Sequence, residues 1–248
     1  MKFVVAGVGD RYKLPGMKLR GYGQYCPIAK AAAIVSERWT LLILRDFLLR
    51  GARRYNEFRR GMPLIPPSVL AQRLKTLQQA KIVVRQASAK GNSWEYRLTK
   101  AGEELRPLIE AAGHWGQRWL GSLLTRDELN PGVLMWDIRR KLKCKELPAG
   151  RTVIYVEFTD LKRMQSWWLV VEESNADLCL EDPGHEIDVA IYADLLSLTQ
   201  VFLGTVSISR ALSEGKIRLS GRRELTRSIS RWFGVSMFAG GNPAPATG

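Results

Sequence analysis

A chain of 248 residues that is 46% hydrophobic and 25% charged has the composition of a packed globular protein, and wholesale disorder is excluded. The net charge of +14 is unevenly spread: residues 1–125 carry 22 basic against 8 acidic side chains, whereas residues 126–248 carry 16 of each. Such segregation implies a basic domain joined to a neutral one, with a polyanion such as nucleic acid as partner of the basic half. No run approaches the roughly 20 apolar residues that cross a bilayer, and the apolar run 3–8 is too short for a secretory signal. Membrane insertion is not expected, and the protein reads as cytoplasmic.

Residues 1–22 are glycine-rich, lack a period and read as a flexible extension; Gly7 and Gly9 are too little for a dinucleotide fingerprint, and Met17 offers a second start. Cys26-Pro27 opens a small alanine-rich helix over 28–35. Ser36 is placed to cap a second helix over 37–49, with Gly51 as its stop. That helix is apolar around most of its circumference, so Trp39 reads as core. Asn56 then caps a short helix, 57–60, ended by Gly61.

The stretch 63–99 organises the basic half. Leu70, Leu74 and Leu77 follow the 3.6-residue period and give a helix over 68–79 one apolar face. Ser68, Gln72, Lys75 and Gln79 recur on another face, with Arg73 beside it. Residues 82–85 and 94–98 read as two strands around a tip at 89–92. A helix followed by a basic hairpin is the layout of a winged helix: helix 68–79 fits the major groove, and the wing, 85–94, holds phosphates or the adjacent minor groove. Side-chain chemistry gives Ser68 and Gln72 to base edges, Arg54, Arg73 and Lys75 to phosphates, and Arg85, Lys90 and Asn92 to the wing contact. Beyond the wing, Thr99 caps a long helix over 100–124 whose beginning Pro107 bends or shortens. Leu105, Leu108, Ala112, Trp115 and Trp119 alternate spacings of three and four and form a short heptad-like seam, which either packs on its own domain or, as the two tryptophans favour, makes a dimer interface.

These residues carry a family resemblance. Cys26-Pro27, Glu37-Arg38-Trp39-Thr40, Arg54-Tyr55-Asn56-Glu57-Phe58, the run from Leu70 to Leu77, and Tyr96-Arg97-Leu98-Thr99 together resemble the HxlR-type winged-helix regulators, relatives of the MarR group, over residues 23–124. The resemblance implies a homodimeric transcriptional regulator that binds double-stranded DNA. Cys26 matches the amino-terminal cysteine with which some of these regulators sense oxidants, so a Cys26 redox-sensing regulator is an alternative. One position departs: Pro66 stands where the family usually has a serine, which puts the helix cap in question while leaving Pro67 in the first turn.

Residues 125–132 are turn-rich and read as a domain boundary. After them come strand-like runs at 153–158, 166–171, 176–180 and 187–192. Helices at 195–203 and 208–213, a strand at 217–219 and a last helix at 223–232 follow. Strands first and helices last argue for an α+β domain over 133–238, with a flexible tail at 239–248. Asp194, Gly204, Ala211-Leu212, Gly215 and the run from Ile217 to Gly221 resemble the end of the sterol carrier protein type two fold. That likeness implies an apolar cavity for a small-molecule effector, with Trp136, Trp168, Phe202 and Trp232 as candidate lining. The competing class is a lipid-carrying or interaction protein whose basic half is a non-specific anchor on nucleic acid or an anionic surface.

Nothing argues for catalysis. His114 and His185 lie far apart without a ligand array at metal spacing, no nucleophile elbow or phosphate loop occurs, and Asp182 and Glu186 read as loop charges. No catalytic residue, metal or cofactor is assigned, and the protein is not expected to be an enzyme. Cys26, Cys144 and Cys179 form an odd, scattered set unlike a disulfide framework; the basic neighbours of Cys144 are expected to lower its thiol pKa.

Overall fold

The computed structural model describes residues 21–88, 93–121 and 124–240. Most of the expected amino-terminal extension, the wing tip and residues 241–248 of the expected tail therefore lie outside the described residues. The chain forms two compact units, divided between Ile109 and Glu110. The segment 125–132, read from sequence as the boundary, holds a 3-10 turn at Arg126–Glu128 and the start of a helix.

The first unit is a winged helix-turn-helix. Helix α1 (Pro27–Val35) begins on the proline after Cys26, and α2 (Thr40–Arg50) ends where Gly51 enters the left-handed region. Ser36 does not cap α2. It closes α1, where its hydroxyl donates to the Ala32 carbonyl, and Trp39 takes the N-cap position of α2 with φ 77°. Helix α3 (Tyr55–Gly61) starts two residues earlier than read, because Glu57 and not Asn56 does the capping: its carboxylate accepts from the backbone N–H of Arg53 and Arg54 at 2.7 and 2.9 Å. Helix α4 (Pro67–Gln79) and the hairpin of β1 (Val83–Ala87) and β2 (Trp94–Leu98) complete the motif.

Its core gathers Ile43, Leu44, Phe47, Phe58, Leu70, Leu74 and Leu77, with Trp39 packed against the margin. The Phe47 and Phe58 rings lie 4.5 Å apart between α2 and α3. The long helix expected over 100–124 is two helices, α5 (Lys100–Glu103) and α6 (Arg106–Leu120). Thr99 caps α5, and Pro107 lies in the first turn of α6, where its missing N–H costs nothing. The break at Glu104-Leu105 is the one that proline required.

The second unit is α+β. After α7 (Pro131–Lys141), opened by Asn130 and absent from the sequence reading, come β3 (Thr152–Phe158), β4 (Ser166–Glu172), β5 (Asn175–Cys179) and β6 (Val189–Ala193). Helices α8 (Leu195–Leu203) and α9 (Ile208–Ser213), strand β7 (Ile217–Gly221), and helices α10 (Arg223–Arg227) and α11 (Ile229–Trp232) follow. The expected helix over 223–232 is thus broken at Ser228. The sheet order is β5-β4-β3-β6-β7, antiparallel except for the central β3–β6 pair.

Alternation along the strands sorts the side chains. Ile154, Val156 and Phe158 of β3, Trp167 and Leu169 of β4, and Val189 and Ile191 of β6 pack with Met135, Ile138, Leu198, Leu225 and Trp232 from the helices. The intervening residues emerge on the other face, where Tyr155 lies 5.2 Å from Trp168 and 6.3 Å from Tyr192, and Arg218 covers Tyr192 at 5.7 Å. Among the described residues no helix is long and apolar enough to cross a membrane.

Candidate nucleic-acid interface

Helix α4 is half buried by its own periodicity. Leu70, Leu74 and Leu77 are fully enclosed, while Ser68, Gln72 and Lys75, three and four residues apart, share an exposed face. Pro66 takes the N-cap position with no side-chain cap, so the cap that the sequence put in question is absent. The Tyr55 hydroxyl instead ties the two helices of the motif together, donating to the Pro67 carbonyl at 2.9 Å. The helix start is held from α3, and the face carrying Gln72 is left open.

The predicted phosphate clamps separate. Lys75 is exposed. Arg73 is not a free cation: its guanidinium pairs with Glu37 at 2.6 Å and donates to the Arg38 carbonyl at 3.3 Å, fastening α4 to the loop before α2. Arg54 is half exposed and lies 3.5 Å from Glu95 on β2. Glu95 is buried, which opposes its ionisation, but the Ser88 hydroxyl and the Arg97 and Arg54 guanidiniums outweigh burial and hold its carboxyl below the usual carboxylate range. Arg53 and Arg59 are exposed cations that the sequence reading passed over, although the run from Arg53 to Arg60 contains four arginines.

On the wing, Arg85 stacks on the indole of Trp94 at 4.5 Å. Trp94 is 56% exposed, so this pair lies at the surface of the wing. Lys90 and Asn92, assigned to the wing contact, lie outside the described residues. At its base the wing is fixed twice over: β2 pairs with β1 on one side, and on the other the Tyr96 N–H donates to the Arg53 carbonyl at 2.8 Å.

Along α6 the seam residues Leu108, Ala112, Trp115 and Trp119 are all exposed, Trp115 to 59%, while Leu105 is half-buried at the helix start. The four aromatics assigned to a ligand cavity are not brought together. Trp232 and Phe202 are core residues, and the Trp232 indole N–H donates to the Leu225 carbonyl at 3.0 Å. Trp168 points to the opposite face because strand alternation places Trp167, not Trp168, inward. Trp136 lies on α7 under Arg139, 5.2 Å from its ring. Cys144 also departs from expectation: burial pushes its thiol up, and a hydrogen bond from its own backbone and the nearby Arg139 offset this only in part. Cys26 is half-buried at the N-cap of α1.

Comparison with known proteins fits this geometry. Residues 34–123 match the family described as HxlR-like helix-turn-helix. An uncharacterised HTH-type transcriptional regulator of Bacillus subtilis (strain 168), YvaP, is 33% identical over 99 residues, covering 39% of this chain and 91% of that protein. A second uncharacterised HTH-type regulator, Rv3095 of Mycobacterium tuberculosis (strain ATCC 25618 / H37Rv), is 37% identical over 94 residues, and there the match spans 58% of the relative and 38% of this chain. Among solved structures, the reduced form of the regulator YodB from B. subtilis is 29% identical, covers 38% of this chain and 94% of its own, and has a TM-score of 0.33. With the matched segment running from the end of α1 to the end of the described α6, this chain belongs to the HxlR-like helix-turn-helix family of transcriptional regulators.

Proposed function

We propose that the protein is a dimeric regulator that reads an operator in double-stranded DNA through α4 and the wing. The observation that carries this is the two-sidedness of α4: one face is fully enclosed, and the other presents Ser68, Gln72 and Lys75 to solvent. Gln72 suits adenine, which it meets with two hydrogen bonds, and Lys75 suits phosphate. In the test, the full chain is titrated with a duplex from its own upstream region and with a shuffled duplex, at two salt concentrations. Preference for the native duplex is expected to persist at the higher salt. Gln72→Ala should bind the native duplex about tenfold more weakly with little change on the shuffled one. Equal binding of both duplexes that collapses with salt would leave only an electrostatic anchor.

Dimerisation is proposed through the exposed apolar stripe of α6, which a monomer gains nothing by exposing. Helix α1 adds to the case, since none of its residues is buried and Ile28 is 79% exposed. Trp115→Ala with Trp119→Ala is expected to shift the protein toward monomer in sedimentation at micromolar concentration; an unchanged dimer would remove the seam from the interface.

The second unit is proposed as the domain that senses an effector. Support comes from elements that follow the order of the sterol carrier resemblance: Asp194 caps α8, Gly204 ends it, and β7 closes on Gly221. In this reading the protein is not an enzyme and acts in the compartment that holds the DNA.

A further inference from the structure

The second unit contains a cavity of about 720 Å³ that the DNA-reading surface does not use. That volume suits a ligand of drug size. The cavity lies at the amino-terminal end of α8, between the turn that follows β3, the 3-10 turn at Arg126–Glu128 and the start of α7. Leu129, Leu161, Leu195 and Leu196 give it an apolar wall.

Two guanidinium side chains, Arg126 and Arg163, also line it, and neither makes an ion pair or hydrogen bond among the described residues. The carboxylates in the wall are committed to backbone: Asp160 accepts from Leu195 N–H at 3.0 Å and Asp194 from Ser197 N–H at 2.8 Å. Two uncommitted cations beside an apolar wall select a ligand with an apolar body and a negative head. Because Asp160 and Asp194 share the wall with the two arginines, a head with one negative charge meets less repulsion there than a dianion.

We propose that this cavity is an effector site for an amphipathic monocarboxylate, bound with its apolar body on the leucines and its carboxylate at Arg126 and Arg163. The inference rests on the reading of the second unit as the sensing domain. It also supplies a route, because the far end of α8 is fastened to α6. Gln117 donates to the Leu203 carbonyl at 3.3 Å, and Ser236 N–H donates to the Phe202 carbonyl at 2.7 Å. The Phe238 ring fills the notch at Gly113, where a Cβ would come within 2.3 Å of it, and meets His114 edge-on at 5.2 Å. A helix about 14 Å long thus joins the cavity to the helix that carries the dimer seam.

The test uses the full chain without DNA and two probes of similar shape, 2-naphthoate and 2-naphthol, the second uncharged at neutral pH. Saturable binding of naphthoate is expected by calorimetry, with naphthol at least tenfold weaker. The Arg126→Ala, Arg163→Ala double variant should lose about tenfold for naphthoate and keep its affinity for naphthol. Both arginines are exposed, so an unchanged melting temperature of the unliganded variant verifies its fold. Leu196→Trp, which fills the cavity, should weaken both probes. Equal affinity for the two probes, an unaffected double variant, or no saturable binding would each overturn the proposal. Operator preference is measured without either probe, so the failure of one reading leaves the other readable.

Discussion

Gly61→Ala is expected to destabilise the helix-turn-helix unit by about 3 kcal/mol, read as a shift in the urea midpoint. A Cβ on Gly61 would lie 2.0 Å from Oδ2 of Asp46, a contact no real side chain shows. Asp46 has little freedom to move away. It is 1% exposed, and its Oδ1 accepts from Arg45 at 2.9 Å and Arg50 at 3.1 Å. The same two arginines donate to the Gly61 carbonyl at 3.2 and 3.3 Å, so the glycine and the acid are halves of one clamp between α2 and α3. Rotating the carboxylate to admit a methyl group would strip a buried charge of its partners, which is costlier than the methyl alone. A midpoint unchanged within error would show that Asp46 yields freely and that the clamp contributes little.

The second large effect is at Trp232. Trp232→Ala should cost the α+β unit about 3–5 kcal/mol, the range for emptying a fully buried aromatic site. The indole is 0% exposed, packs among the helix residues over the sheet and spends its N–H on the Leu225 carbonyl. Trp232→Phe keeps most of the packing and loses the indole hydrogen bond, leaving the Leu225 carbonyl only the Ser228 hydroxyl at 3.4 Å, for a smaller loss of about 1–2 kcal/mol. Chemical denaturation of both variants checks the order. A lining residue of a ligand cavity would behave differently, tolerating truncation with little loss of stability.

Much of the first unit was legible because its signals are local. Leucines at helical spacing, two prolines before Ser68 and a glycine after Arg50 specify where α4 begins and α2 ends without reference to the rest of the chain. Arg73 shows the limit: a cation on a recognition helix invites a phosphate role, and only the approach of Glu37 from 36 positions away shows it occupied. Ser36 failed as a cap for α2 because a serine between two helices can serve either, and here its hydroxyl turned back to Ala32. Helix α7 was missed although Asn130 and Pro131 form a helix start, since the same residues also spell a turn. In the second unit the strands were readable from their residue types, but the inward choice between Trp167 and Trp168 depends on register, and a shift of one position exchanges the two faces. The cavity at α8 had no sequence signal at all, being assembled from a turn, a loop and two helix ends.

The double anchoring of the wing has a consequence for the entropy of binding. A hairpin held only by its own ladder pivots about its base, and docking it on DNA costs that freedom. Here the Tyr96–Arg53 backbone bond and the Arg54–Glu95 pair join the outer edge of β2 to the start of α3. The wing base and the helix-turn-helix therefore travel as one body, and the spacing between α4 and the hairpin is fixed in the unbound protein.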